Sequence, residues 1–189
     1  MLKSIRKSRQ SGFTLVELGI VLALIGIGLF FAISKMQETG DASRAQNVAN
    51  DISTTVNNIQ RFYNTVQEFP SPINQAELIS NKVVPAKWVA TTPSTTPGAT
   101  PTSVITGPFG GAVTIKRDDT LTSEASIQIE NVPSRVCSEM GRLMADGYRA
   151  ITVESTPVKA VNGSLDISKL GTECSKAVAV SMTFRFQKA

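Results

Sequence analysis

The chain has 189 residues, of which 41% are hydrophobic and 18% charged, with two cysteines and no histidine. That length suits one domain with an appendage and is enough to bury a core. Without histidine there is no Ser-His-Asp or Cys-His nucleophile system and no His-containing zinc site. Two cysteines are too few for a zinc site made of thiolates alone. A net charge of +4 would suit nucleic acid, but its distribution does not. Residues 1–12 hold Lys3, Arg6, Lys7 and Arg9 and no acid, so the remainder carries 15 basic against 15 acidic residues. A short basic leader before an apolar run is a topogenic signal, and no nucleic-acid contact is inferred.

From Leu18 to Ile33 the chain runs sixteen residues without a charge, and from Phe13 to Ser34 it is broken only by Glu17. As a helix, residues 13–34 would span about 33 Å, roughly the hydrocarbon thickness of a bilayer. The upstream cations then stay in the cytoplasm and everything after Lys35 lies outside it. A secretory signal peptide is the plainer alternative, but no small-x-small cleavage site precedes Lys35. Glu17 stands out, because a carboxylate in an apolar segment costs about 2.5–3.5 kcal/mol on insertion scales. Taken alone it reads as an interfacial residue.

The residues Gly12-Phe13-Thr14-Leu15-Val16-Glu17, between the basic leader and the apolar helix, resemble the processing signature of type IV prepilins. The resemblance implies a leader, 1–12, cleaved after Gly12 by a prepilin peptidase, and N-methylation of the new terminus at Phe13. It also gives Glu17 a role in assembly, its carboxylate meeting the terminal amine of a neighbouring subunit; a paired charge is tolerable where a lone one is not.

Beyond the apolar run, Ala45, Val48, Ile52, Val56, Ile59, Phe62 and Val66 recur at steps of three and four. That spacing predicts an amphipathic helical half over 35–66. Pro70 and Pro72 then end the helix. In the head, 67–189, a short helix is expected over Gln75–Ser80, followed by an apolar stretch containing Trp88. The Thr/Ser/Pro-rich segment 91–108 reads as an extended, exposed loop. Strands are expected at Ala112–Lys116, Ser126–Asn131 and Ala150–Glu154, with a central antiparallel strand at Ala177–Phe186. Residues 134–147 read as a helix capped by Ser134, stopped by Gly147, and lined on one face by Val136, Met140, Leu143 and Met144. The fold class is α+β: a long N-terminal helix on an antiparallel sheet.

Cys137 and Cys174, in an exported chain, read as a disulfide. Closing about 38 residues stabilises by roughly 3–4 kcal/mol on the chain-entropy model. The fragments Gly107-Pro108-Phe109-Gly110-Gly111 and Val132-Pro133-Ser134-Arg135-Val136-Cys137 are similar to those of the type IVb pilin group. That resemblance implies a variable exposed region between the cysteines, Ser138–Glu173. Asp118-Asp119 reads as solvent-facing, not as a calcium site, and no cofactor is expected. Gly26 and Gly28 are candidates for local melting of the helix.

These features together are read as a type IVb-like major pilin and not an enzyme. The expected partners are copies of the chain in a helical filament, the prepilin peptidase and methylase, the assembly machinery of the inner membrane, and lipid before assembly. The filament would serve adhesion, aggregation or conjugation. The rival readings are a minor pilin, a type II secretion pseudopilin, and a membrane-anchored periplasmic enzyme or binding module.

Overall fold

The computed structural model describes residues 15–92, 102–119 and 121–188, with the side chains of residues 28, 30–39, 92 and 102 outside that description. It divides into two compact units, 1–40 and 41–189. Helix α1 (Leu15–Phe62) supplies the described residues of the first unit and enters the second. The second unit adds α2 (Gln75–Ser80), a 3-10 turn over Ala86–Trp88, β1 (Val89–Thr92), β2 (Thr102–Ile105), β3 (Val113–Arg117) and β4 (Glu124–Pro133). There follow α3 (Ser134–Leu143), β5 (Ala150–Val153), β6 (Thr156–Lys159), α4 (Ile167–Ser175) and β7 (Ala179–Gln187). The architecture is α+β.

Five strands form one antiparallel sheet in the order β3-β4-β7-β5-β6, with β7 in the middle. Alternation gives the sheet a single buried face. Val180, Met182, Phe184 and Phe186 of β7 point into the core, with Ala125, Ile127 and Ile129 of β4 beside them. Ser181, Thr183 and Arg185 point away and are half-buried. From α1, Ala45, Val48, Ala49, Ile52, Val56, Ile59 and Tyr63 join the same core. Polar ties fix the helix in the head: Asn58 Nδ2 donates to Val83 O at 3.1 Å, Gln60 Nε2 to Gln187 O at 2.6 Å, and Lys87 pairs with Asp51 at 2.7 Å.

Four local expectations need correction. First, α1 ends at Phe62, and Val66 lies exposed in the turns that follow. The buried Phe69 draws the chain off the helix axis: its N–H donates to Thr122 O at 3.0 Å, and its carbonyl accepts from Arg117 Nη1 at 3.2 Å. Second, the loop 91–108 is not wholly extended and free. Its ends form the β1–β2 ladder, Thr91 opposite Ser103, and Ile105 is buried; residues 93–101 lie outside the described residues.

Third, Ser134 does not cap α3. It is the first helical residue, and its N–H donates to Val178 O at 3.2 Å, so a distant carbonyl satisfies an orphan donor. Fourth, α3 stops at Leu143, before Gly147, and Leu143 is 42% exposed instead of lining the buried face. Lys159 Nζ closes that end, donating to Tyr148 O at 2.7 Å and also to Ala145 O.

Strand β6 and helix α4 carry too little periodicity to be read from sequence. α4 is capped by Asp166, which accepts from Lys169 N at 2.9 Å, and it buries Leu170 and Cys174 against α3. The contact is close: a Cβ on Gly141 would stand 2.7 Å from both Leu170 methyls. Gly141→Ala is therefore expected to destabilise the chain by about 1–3 kcal/mol through overpacking. In thermal unfolding its cost should shrink when Leu170→Ala is added, the coupling expected of residues in contact.

Candidate functional site

In the first unit, the described side chains of α1 are apolar on all sides. Leu15 is 89% exposed and Leu24 64%, and Val16, Leu18, Ile20, Val21, Leu22, Ile25, Ile27 and Leu29 are exposed as well. At 100° per residue, the consecutive Ile20, Val21 and Leu22 lie on different faces, so the apolar surface encircles the helix. Glu17 stands in its first turn. Gly12 and Phe13, the expected cleavage and methylation positions, lie outside the described residues. So does the start of the expected membrane segment, 13–34. Among the described residues, no helix is long and apolar enough to cross a membrane.

In the second unit, Cys137 of α3 and Cys174 of α4 are joined, with their Cα atoms 5.7 Å apart and both side chains buried. The enclosed span contains β5, β6 and α4, so it is a structured layer with exposed turns, not a loop. Its last residue, Glu173, is buried. Hydrogen bonds from Lys176 Nζ, at 2.6 and 2.7 Å, hold the Glu173 carboxyl below the usual range, outweighing its desolvation.

One end of the sheet holds a charge cluster that sequence reading missed. Glu124, 1% exposed, pairs with Arg149 at 2.7 Å and lies 3.9 Å from Arg185. Arg185 also pairs with Asp118 at 2.8 Å, and Asp118 Oδ1 accepts from Leu121 N at 3.0 Å. Asp118 is thus a partner of Arg185 and not the solvent-facing residue expected. Register places the cluster: Glu124 faces Gln187, and Ala150 faces Arg185, across β7. Among the described residues, no group of three or more His, Cys, Asp or Glu could hold a metal.

Tyr148, beside this cluster, lines a cleft of about 400 Å³ with Ser53, Asn57, Gln60 and Arg149. Its hydroxyl is pushed up to about 12 by burial, which outweighs the opposing hydrogen bond with Ser53.

The sequence matches the family model described as PilS N terminal over residues 42–185, which is most of the chain. The chain belongs to the PilS family. A second model, the prokaryotic N-terminal methylation motif, matches residues 7–33. Among curated proteins, none matches it in sequence. Two solved structures share the fold. The type IV b pilin from Salmonella typhi is 14% identical, with a TM-score of 0.56 over 74% of this chain and 97% of that one. TcpA, a type IV pilin from Vibrio cholerae El Tor biotype, is 13% identical, with a TM-score of 0.53 over 77% and 99%. The PilS-family chain thus joins a methylation motif to a head with the fold of the type IV pilins, and its C-terminal region is bounded by a disulfide.

Two outcomes follow for the head. Replacing both Cys137 and Cys174 by Ser should lower stability by about 2–5 kcal/mol in denaturant melts, and reductant should do the same to the native chain alone. Tyr148 is protonated in both states below pH 10, its ordinary value. Between about 10 and about 12 only the unfolded chain ionises there, so stability falls by about 1.4 kcal/mol per pH unit. In alkaline melts, Tyr148→Phe should flatten that decline.

Proposed function

We propose that this chain is the major structural subunit of a type IV pilus. It is inserted in the inner membrane with residues 1–12 in the cytoplasm and the head outside. A prepilin peptidase cuts between Gly12 and Phe13, the new Phe13 amine is methylated, and the subunit polymerises through its N-terminal helix into a surface filament. The observation that supports this reading most directly is the apolar surface encircling α1 from Leu15 to Leu29. Each such side chain gains about 1.5–3 kcal/mol on leaving water, so a helix of this kind belongs in lipid or among copies of itself. The methylation motif over residues 7–33 and the pilin-like head agree with it.

Glu17 sets the register in this scheme. As the helix enters a dry filament core, its carboxylate meets the Phe13 amine of a neighbouring subunit, and each charge compensates the other's lost hydration. Glu17→Val should ease insertion, so the variant ought to accumulate in the membrane and be cleaved normally. It leaves the incoming amine without a partner, a cost of about 3–5 kcal/mol per subunit where the pair is buried. Electron microscopy should then find no filaments, while mass spectrometry still finds a methylated Phe13 terminus. Full-length filaments in normal number from the Glu17→Val strain would refute the role of the carboxylate. A Met1 terminus in wild-type filaments would refute processing. Long filaments in which this chain predominates mark a major pilin; rare copies along another subunit's filament mark a minor one.

A further inference from the structure

The turn between β6 and α4 lies inside the disulfide-bounded span, and its residues 161–164 are all exposed. It contains the single Asn-Gly pair of the sequence, Asn162-Gly163. The turn is closed by Gly163 N–H donating to Ala160 O at 2.9 Å, and Asn162 sits at φ 59°, the left-handed conformation that asparagine tolerates at the third position of a turn. Among the described residues the side-chain amide of Asn162 makes no hydrogen bond, whereas Asn74 and Asn81 spend theirs on α2 and Asn58 on Val83.

We propose that Asn162 is a site of spontaneous deamidation in the folded subunit, a slow chemical change that adds negative charge to the exposed pilin head. The reaction needs only this chain and water. The Gly163 backbone nitrogen, after its turn bond opens and its proton is lost, attacks Cγ of Asn162. The Cγ–Nδ2 bond breaks, ammonia leaves with that proton, and a five-membered succinimide closes. Water then opens the ring at either carbonyl. Attack at Cγ yields an ordinary aspartate; attack at the backbone carbonyl leaves the chain running through Cβ. No oxidant or reductant is consumed.

Two features favour this position. Glycine has no Cβ to crowd the attacking nitrogen, so the approach to Cγ is open. The turn is held at its closing end by one hydrogen bond between exposed residues, and the Asn162 N–H is anchored separately, donating to Arg149 O at 3.2 Å. The product places a carboxylate, or an extended backbone, four residues before Asp166, the cap of α4.

The test ages the purified full-length protein at mildly alkaline pH with its disulfide intact. Peptide mass spectrometry follows every asparagine, and methylation by an isoaspartyl methyltransferase with S-adenosylmethionine detects the rearranged product. The peptide carrying Asn162 should gain the mass difference between an amide NH2 and a hydroxyl, faster at higher pH and faster than any other asparagine. Gly163→Ala should slow it several-fold. That variant is expected to fold: the Gly163 backbone is not left-handed, and a Cβ there would stand 3.3 Å from Ala160 O, so the turn need shift only slightly. An unchanged melting temperature for Gly163→Ala checks this. An unmodified Asn162 while other asparagines convert, or equal rates in Gly163→Ala, would overturn the proposal.

Discussion

The head depends on one constraint: its five-stranded sheet has a single apolar face, and that face must be covered. Met182 and Phe184 lie at the centre of β7, with strands on both sides, and are fully buried. The stripe from Ala45 to Ile59 on α1 joins them in one core. Exposing such a face would cost about 25 cal/mol for every Å² returned to water, so helix and sheet stand or fall together. The ties from α1 to Val83, Lys87 and Gln187 add direction to a contact that the hydrophobic effect alone leaves free to slide.

Where the sheet ends, polar groups take over the positioning. Glu124 is buried, yet Arg185 faces it from the neighbouring strand β7 and Arg149 from the residue before β5, and Asp118 engages Arg185 in turn. A buried carboxylate so surrounded is strongly position-specific, because removing one partner leaves the others uncompensated. Lys159 does comparable work at the end of α3, where its ammonium satisfies two carbonyls that no further helical turn would meet. The disulfide ties α3 covalently to α4, across the span that holds β5 and β6.

The N-terminal segment follows a different rule. It has apolar side chains on every side and presents them to the surroundings, with one carboxylate in its first turn. A helix of that composition is stable only in an environment that is itself apolar. The head buries its apolar side chains in a core of its own; the described side chains from Leu15 to Leu29 stay exposed. Glu17 is the one acid between Leu15 and Leu29, and it is the group that apolar surroundings penalise most.

Much of this was legible in the chain itself. The basic leader, the uncharged run with Glu17, the stripe on the second half of α1, the helix Gln75–Ser80 and the alternating last strand are local patterns, and local patterns are set by neighbours three, four or two residues away. They determine the α+β class and the division into apolar segment and head. Other features were decided only in three dimensions. The end of α1 at Phe62 depends on Thr122 and Arg117; the start of α3 on Val178; its end on Lys159; the place of Asp118 on Arg185. In each case the partner lies far along the sequence and is brought near only when the chain folds. A short strand with a proline, such as β6, or a helix with a central glycine, such as α4, has too little intrinsic preference to announce itself, and forms because the core and the Cys137–Cys174 bond hold its ends.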